Sequence, residues 1–352
     1  MMRKRGTRVN KWVLVLALVI ATPVKARDLG VPADKGWKHA ETGLILMPQL
    51  AGLSRIALTD ATQTERDVAA QYDMPDKSMF ATIYLFHPAI TDVALWFDRS
   101  RTAIETRDLF RNAAPASADP ISFAVGNSGS AASLRQVYAT PGGGQYRSTA
   151  LAVVPVGEWI VSVRMSAKTL TADQLDASLQ QVIQAIRWPK PTATLATATA
   201  RPIMGCDTPL TFPKARQAKP NGADMLMALM ASSIAAKAKS SDIPASAPPT
   251  TWCREDDGRT EYGVYRSIAS TNGYVMALYD AGGVVSVYPS LMGQVDNSGT
   301  YAVSLTDVEG TVSSFPSFTA MPSPQQVWDL VKSGKRTGTM RGNQMTIDPK
   351  AL

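Results

Sequence analysis

Few side chains of this 352-residue chain are suited to acid–base chemistry, because the chain contains only two histidines, His39 and His87. Histidine is the commonest general base since its pKa lies near neutral pH. His39 follows Lys38 in the N-terminal part of the chain, and we expect its side chain to be exposed. His87 ends a predicted strand directly before Pro88, a position typical of a turn or a sheet edge. Neither position predicts a catalytic base by itself.

Ser128 is the one candidate nucleophile, and it lies in the sequence GNSGS at residues 126–130. The nucleophile turn of hydrolases requires the pattern G-x-S-x-G, and position 130 of this chain is serine. Small residues between two predicted strands are more typical of a flexible hairpin. An exported serine-type hydrolase using Ser128 and His87 is therefore the alternative hypothesis. The leading prediction names no catalytic residue.

The sequence predicts neither a metal site nor a cofactor. Two distant histidines and two cysteines do not supply the usual zinc ligands. Glu255, Asp256 and Asp257 are adjacent, but no loop of spaced oxygen ligands follows them, so we expect solvated acids. Three methionines of one predicted helix do not share a face, and we expect them to fill a core: Met225, Met227 and Met230.

The only two cysteines, Cys206 and Cys253, predict a structural disulfide. A cysteine pair in an exported protein is normally oxidised, whereas a redox-active pair has the close C-x-x-C spacing. In the chain-entropy model, a loop of this length stabilises the fold by about 4 kcal/mol when it is closed.

The first 26 residues have the layout of a secretory signal peptide. A cationic head precedes an uncharged apolar run over residues 12–21, and small residues precede the expected cut between Ala26 and Arg27. The apolar run is about half of the roughly 20 residues that span a bilayer, which disfavours a permanent anchor. The predicted location is periplasmic or secreted, with no stable membrane insertion after cleavage.

Removal of this leader changes the charge of the chain. The full sequence carries 36 Lys+Arg and 29 Asp+Glu, a net charge of +7. Six of the cations lie in the leader, which has no acid, so the mature chain has 30 bases against 29 acids. A strongly basic protein would suggest nucleic acid as a partner, and this balance does not. The predicted partner is an envelope protein or a small ligand of unknown identity.

The length of the mature chain predicts two domains, residues 37–189 and residues 202–352. Residues 190–201 are rich in Thr, Ala and Pro, lack periodicity and are typical of a linker. Both halves alternate strand and helix patterns, so the predicted class is α+β. We expect an antiparallel-sheet sandwich with flanking helices, followed by a second, disulfide-stapled α+β domain.

Several patterns in the first half predict where side chains point. Thr91-Asp92 opens a helix with Trp96 on its apolar face and Arg99 on the opposite, polar face. Alternation over residues 158–166 predicts a strand with one buried and one largely solvated face. Further strands are predicted over residues 43–47, 54–59, 67–72, 79–86, 121–125, 134–140 and 146–154. Thr171 and Gln174 have capping-box spacing at the start of a last helix.

This order of elements resembles that of the PsbP-like family of α/β sandwiches over residues 37–189. The resemblance rests on the early strands at residues 43–48, the helix after Thr91, the hairpin ending in residues 159–164, and the terminal helix running into residues 186–189. It implies an α/β sandwich, and such families commonly contain binding or assembly modules without a shared catalytic set. No functional residue carries over, because a fold alone does not specify a function.

The second half predicts a strand-rich domain with helices at residues 224–239 and after Ser323. Pro324 and Gln326 complete the capping pattern of that last helix. Predicted strands cover residues 209–212, 261–268, 274–279, 284–288, 300–305, 311–315 and 339–347. Four cations near the C-terminus form a basic tip without interleaved aromatics, and we expect a solvated loop: Lys332, Lys335, Arg336 and Arg341.

The scarcity of histidine and the absence of an acid–base constellation favour a binding protein over an enzyme. The leading prediction is an exported, non-catalytic binding or assembly module of the bacterial envelope, with an unknown ligand.

Overall fold

The computed structural model describes residues 26–110, 112–126, 129–140, 144–190, 198–219, 222, 226–227, 229–230, 250–256 and 258–349. The predicted leader, Ser128, part of the predicted linker and most of the predicted helix 224–239 therefore lie outside the described residues. The chain is a mixed α/β protein in which strands predominate. Within the described ranges, no helix combines the length and the hydropathy that crossing a bilayer requires.

The first half forms a ten-stranded antiparallel sheet, with a separate two-stranded hairpin. Its strands are β1 (Arg27–Asp28), β2 (Trp37–Lys38), β3 (Ile45–Leu46), β4 (Gln49–Leu50), β5 (Leu53–Asp60), β6 (Asp67–Asp73), β7 (Met79–Phe86), β8 (Ala114–Pro115), β9 (Ile121–Phe123), β10 (Ser133–Ala139), β11 (Ser148–Val156) and β12 (Trp159–Ala167). The order across the sheet is β1-β5-β6-β7-β12-β11-β10-β8, while β4 pairs with β5 and β9 with β10. The hairpin consists of β2 and β3.

Helix α2 (Ala172–Ala185) covers one face of this sheet. The predicted capping box is confirmed, since the Thr171 hydroxyl accepts from the Gln174 amide and the Gln174 side chain accepts from the Thr171 amide. Leu175, Leu179 and Val182 are buried. Their burial removes apolar surface from water and holds the helix on β10, β11 and β12.

The opposite face of β12 is buried as well, so the prediction of a largely solvated face is wrong. Ile160, Ser162 and Ser166 are all at most 3% exposed. Helix α1 (Val93–Glu105) crosses this face, and the Arg164 guanidinium donates to the hydroxyl of its Ser100 over 3.2 Å. The polar positions of β12 therefore contact protein where the alternation predicted water.

Helix α1 begins as predicted, because the Asp92 side chain accepts from the Leu95 amide over 2.9 Å. The prediction that Arg99 faces solvent is wrong, since this residue is 0% exposed. Its Nε donates to the backbone carbonyl of Tyr279 and its Nη2 to that of Thr260, over 2.7 and 3.1 Å. Backbone oxygens of the second half thus replace the water that the pattern predicted around this guanidinium.

The second half forms a nine-stranded sheet in which the strands follow chain order. They are β13 (Met204–Gly205), β14 (Trp252–Arg254), β15 (Tyr262–Ser267), β16 (Tyr274–Leu278), β17 (Val284–Pro289), β18 (Tyr301–Thr306), β19 (Val312–Phe318), β20 (Gly338–Arg341) and β21 (Gln344–Ile347). Among the described strands of this sheet, β13 and β14 pair in parallel and the other neighbours pair antiparallel. The predicted strand 209–212 is wrong, and residues 339–347 form the hairpin β20–β21 around Gly342, whose φ is +58°.

The predicted disulfide is confirmed, because Cys206 and Cys253 are bonded to each other. Cys206 directly follows β13 and Cys253 lies in β14, so the bond fastens the edge of the second sheet. Over residues 250–256 and 258–349, this half contains the short helix α3 (Leu291–Val295) and helix α4 (Pro324–Ser333).

A hydrophobic cluster joins the two halves. It contains buried residues of the first half, among them Phe86, Trp96, Leu151 and Ile160, and buried residues of the second half, Ile203, Tyr265, Ala277 and Val284. A second cluster lies entirely within the first sheet, β2, β3 and α2. The boundary between two domains stays a prediction, and the shared cluster shows that the halves bury apolar surface against each other.

Candidate functional site

Helix α4 carries a partly buried tryptophan, Trp328, and an exposed cation, Lys332. The predicted capping box is confirmed, with Ser323 accepting from the Gln326 amide and Pro324 in the first turn. The helix ends at Gly334, which has the left-handed φ of +67° that favours glycine. Val327 and Leu330 are buried beneath the helix. Trp328, one position after Val327, therefore points toward the side of the helix and is only partly buried.

Trp328 lies beside Tyr262 of β15 and beside Tyr279, which directly follows β16. We call the surface formed by five residues the aromatic patch: Trp328, Tyr262, Tyr279, Arg259 and Lys332. The Trp328 ring lies 5.5 Å from that of Tyr262 and 6.3 Å from that of Tyr279. Arg259 lies over the Tyr262 ring at 5.5 Å, and Lys332 lies over the Trp328 ring at 5.6 Å. Cations in this position are attracted by the negative face of the ring.

Tyr279 reaches the patch through an uncommon backbone conformation. Its φ is +48°, a left-handed value that is an outlier for a bulky side chain and costs about 1–3 kcal/mol. The surroundings hold it there: its amide donates to the Glu261 carbonyl over 2.7 Å, and its own carbonyl accepts from the buried Arg99. The Tyr279 side chain remains 48% exposed. Arg99 of the first half thus positions part of a surface on the second half.

A groove lies against α4 beside the patch, and we call it the α4 groove. It has a volume of about 340 Å³ and is lined by Arg216, Gln217, Phe318, Leu330, Ser333 and Lys335 among others. An extended segment supplies the first two residues, and it is fixed by a backbone bond from Thr319 to Arg216 and by an isolated bridge between Gln217 and Phe318. The Gln326 side chain donates to Ala215 over 3.1 Å and ties this segment to α4.

The four cations of the predicted basic tip are all exposed, as expected. Arg341 is paired with Glu309 over 2.8 Å. The expectation of a loop is wrong for two of them, because Lys332 belongs to helix α4 and Arg341 to strand β20. Lys332 also lies over the Trp328 ring. The signal was present in the sequence, since the two residues are four positions apart and such residues are neighbours on a helix surface.

Both histidines pack against Trp159, with ring centroids 4.5 Å away for His39 and 5.2 Å away for His87. The prediction that His39 is exposed is wrong, because its ring lies between Trp37 and Trp159 and the residue is 1% exposed. Its Nδ1 accepts from the Thr42 amide over 3.2 Å. Burial lowers the pKa of His39 below its ordinary value.

His87 follows β7 directly, in agreement with a position at a strand end, and it is partly buried. Burial lowers its pKa, and the neighbouring charge of Arg66 lowers it further. Ser128 lies outside the described residues, so the pairing of His87 with Ser128 stays a prediction.

We expect the protein to lose stability through His39 as the pH falls below about 6.5. The unfolded chain binds a proton at the ordinary histidine pKa of 6.5, whereas the folded chain resists protonation. The contribution is therefore complete above pH 6.5 and is lost as the pH falls toward the lowered pKa of the folded state. The measurement is the free energy of urea unfolding for the wild type and for His39→Gln between pH 8 and pH 5.

Only the difference between these two proteins is diagnostic. Burial raises the pKa of several carboxyl groups, including that of Asp67 to about 6. These groups make the folded protein more stable as the pH falls through their folded-state pKa. They are present in both proteins and cancel in the difference. A difference that does not change between pH 8 and pH 5 would contradict the expectation.

The expectation of solvated acids at residues 255–257 is wrong for Glu255. Its carboxylate pairs with Arg266, and both side chains are 5% exposed. Asp256 is partly buried and accepts from the Gly258 amide over 3.1 Å, while Asp257 lies outside the described residues. Glu255 and the sulfurs of Cys206 and Cys253 lie within 4.8 Å of one another, but bonded sulfurs offer no thiolate ligand.

The expectation that methionines fill a core is wrong for Met227 and Met230, which are 39% and 45% exposed. Their neighbour Leu229 is the buried residue and packs with Val312. Met225 lies outside the described residues.

No known protein family, curated protein or solved structure matches this chain.

Proposed function

We propose that the chain is an exported, non-catalytic binding or assembly module of the bacterial envelope, and that a partner protein docks on the aromatic patch. The observation that carries the proposal is one exposed and one half-buried aromatic ring with a cation beside them: Tyr279 is 48% exposed, Trp328 is partly buried, and the side chain of Lys332 over Trp328 is 53% exposed. Tyr262 is 1% exposed and supports the Trp328 ring from below. Tryptophan, tyrosine and arginine are the residue types that dominate the binding energy of protein interfaces.

The chemistry of the patch indicates the character of the partner surface. The rings offer apolar faces with a polar edge, a combination enriched at interfaces. Arg259 and Lys332 add positive charge, so the complementary surface combines apolar side chains with carboxylates. The burial of the His39 ring, whose Nδ1 is bonded to Thr42, further favours a binding role over acid–base catalysis.

Export is supported by two features of the described residues. The Cys206–Cys253 disulfide is of a kind that persists in oxidising compartments. Arg27 is the first residue of β1 and pairs with the buried carboxylate of Asp60 over 3.0 Å. A cut between Ala26 and Arg27 therefore leaves β1 complete.

We expect the protein isolated from its native host to begin at Arg27. Signal peptidase removes the leader after the small residue Ala26, and the first strand of the described residues begins with the next residue. The measurement is the intact mass of the purified protein together with its N-terminal sequence. A mass that retains the leader, in a protein recovered with the inner membrane, would contradict export by cleavage.

For residues 37–189 we further propose a PsbP-like α/β sandwich. The proposal is supported by the order of early strands, a helix after Asp92, a long hairpin of β11 and β12, and the terminal helix α2. Superposition of an experimentally determined structure on members of that family tests it.

We expect Trp328→Ala to weaken binding to the envelope partner about thirtyfold, since hot-spot truncations cost about 2 kcal/mol. The tagged mature protein is cross-linked to its partner in the envelope fraction and recovered through the tag. The measurement is the amount of one such partner recovered over a range of concentrations of the tagged protein. The matched control is Ile268→Ala, which removes an apolar side chain that is 60% exposed and is not part of the patch. Equal recovery by the two variants would show that the partner does not dock on the patch.

A further inference from the structure

The α4 groove carries uncompensated positive charge. Arg216 and Lys335 line it, and among the described residues no carboxylate lies within 4.0 Å of either side chain's cationic nitrogens. Of the described residues that line the groove, Asp329 is the only acid, and it is engaged by Lys332 over 3.4 Å and by Gln325 over 3.0 Å. The groove is therefore cationic in a mature chain whose bases and acids almost balance.

Two apolar side chains of the groove lining are almost fully buried, so they fix its shape and offer little surface to an occupant. Phe318 and Leu330 are 3% and 4% exposed, and both belong to the hydrophobic cluster of the second sheet. The walls are held by backbone bonds of Arg216 and Ala218 to the end of β19. The volume of about 340 Å³ lies at the lower end of the range for ligand clefts, so the occupant is small.

We propose that the α4 groove binds an acidic peptide segment of a partner protein, with a carboxylate between Arg216 and Lys335. Guanidinium and ammonium groups form strong charge-assisted hydrogen bonds with carboxylates. A concave site of this size fits one or two side chains, whereas a membrane surface needs a protruding or flat cationic face. The inference goes beyond the proposed function, because the groove and its two free cations do not include Trp328.

The test uses the mature, disulfide-bonded protein and a fluorescein-labelled peptide, Ser-Phe-Glu-Glu-Gly, with Ser-Phe-Gln-Gln-Gly as its uncharged counterpart. We expect a saturable rise in anisotropy for the glutamate peptide. Arg216→Gln and Lys335→Gln should each weaken its binding about tenfold, since a hydrogen bond to a charged group contributes about 1.5 kcal/mol. The matched control is Arg341→Gln, which removes an exposed cation that is paired with Glu309 outside the groove.

Three results would overturn the inference: no saturable binding of the glutamate peptide, equal binding of both peptides, or equal affinity of the groove variants and the control variant. Sedimentation with phosphatidylglycerol vesicles provides the remaining comparison. Vesicle binding that depends on Arg216 and Lys335, without peptide binding, would assign the cations to a lipid surface and would also overturn it. A failure of this inference can be distinguished from a failure of the proposed function. Capture of the envelope partner depends on Trp328, whereas peptide binding depends on Arg216 and Lys335.

Discussion

Replacing Asp98 with alanine is expected to lower the free energy of unfolding by about 3–5 kcal/mol, the usual cost of breaking a buried ion pair from one side. Asp98 lies in α1 and is 2% exposed. Its carboxylate accepts from the Tyr265 hydroxyl over 2.7 Å, from Arg254 over 2.8 Å and from Arg101 over 2.9 Å. The alanine variant leaves the buried Tyr265 hydroxyl and two arginines, each about a fifth exposed, without their shared carboxylate.

The measurement is urea unfolding of the mature protein followed by circular dichroism. The matched control is Asp176→Ala, because Asp176 also pairs with an arginine, Arg135 over 2.9 Å, but its side chain is 25% exposed. We expect the control to lose about 1 kcal/mol at most, as partly solvated pairs do. If both variants unfolded at the same urea concentration, the buried network would not be what holds α1 against the second sheet.

Removing the disulfide with the double substitution Cys206→Ser and Cys253→Ser is expected to lower the free energy of unfolding by about 4 kcal/mol in the chain-entropy model. The bond joins residues 47 positions apart and fastens β13, a strand of only two residues, to β14. Ile203, directly before β13, is 7% exposed in the cluster shared by the two halves. Without the bond, the edge strand and Ile203 should open before the rest of the sheet.

The measurement is urea unfolding of the wild type with and without dithiothreitol, together with amide hydrogen exchange in β13 and β14. The double serine variant is the control, because reductant should leave its unfolding unchanged. Thiols that react with a labelling reagent in the unreduced, folded wild type would contradict the prediction.

The features that could be predicted from the sequence depend on residues close together along the chain or on a covalent bond. Thr171 with Gln174, and Ser323 with Gln326, form capping boxes because the partners lie within one helical turn. Cys206 and Cys253 had no other cysteine to pair with. The strands of both halves fall close to their predicted positions, apart from residues 209–212 and the division of residues 339–347 into two strands.

Several of the wrong predictions share one assumption, that a polar side chain near the surface of an element faces water. Arg99 is fully buried because the carbonyls of Thr260 and Tyr279, more than 150 positions away, accept its N–H groups. Periodicity along one element carries no information about such partners. His39 is buried for a similar reason, since Trp159, 120 positions away, packs on its ring.

The candidate site shows the same division between what is local and what is distant. The sequence by itself determined helix α4, its caps and the neighbourhood of Trp328 and Lys332, because hydrogen bonds and contacts within a few residues specify them. Only the tertiary structure placed Tyr279 beside Trp328, since that requires a left-handed backbone held by Arg99 of the other half. It also brought Arg216 and Lys335 to one groove, through pairing of the segment around Gln217 with the end of β19. Such contacts depend on how separate elements pack, and no spacing along the chain encodes them.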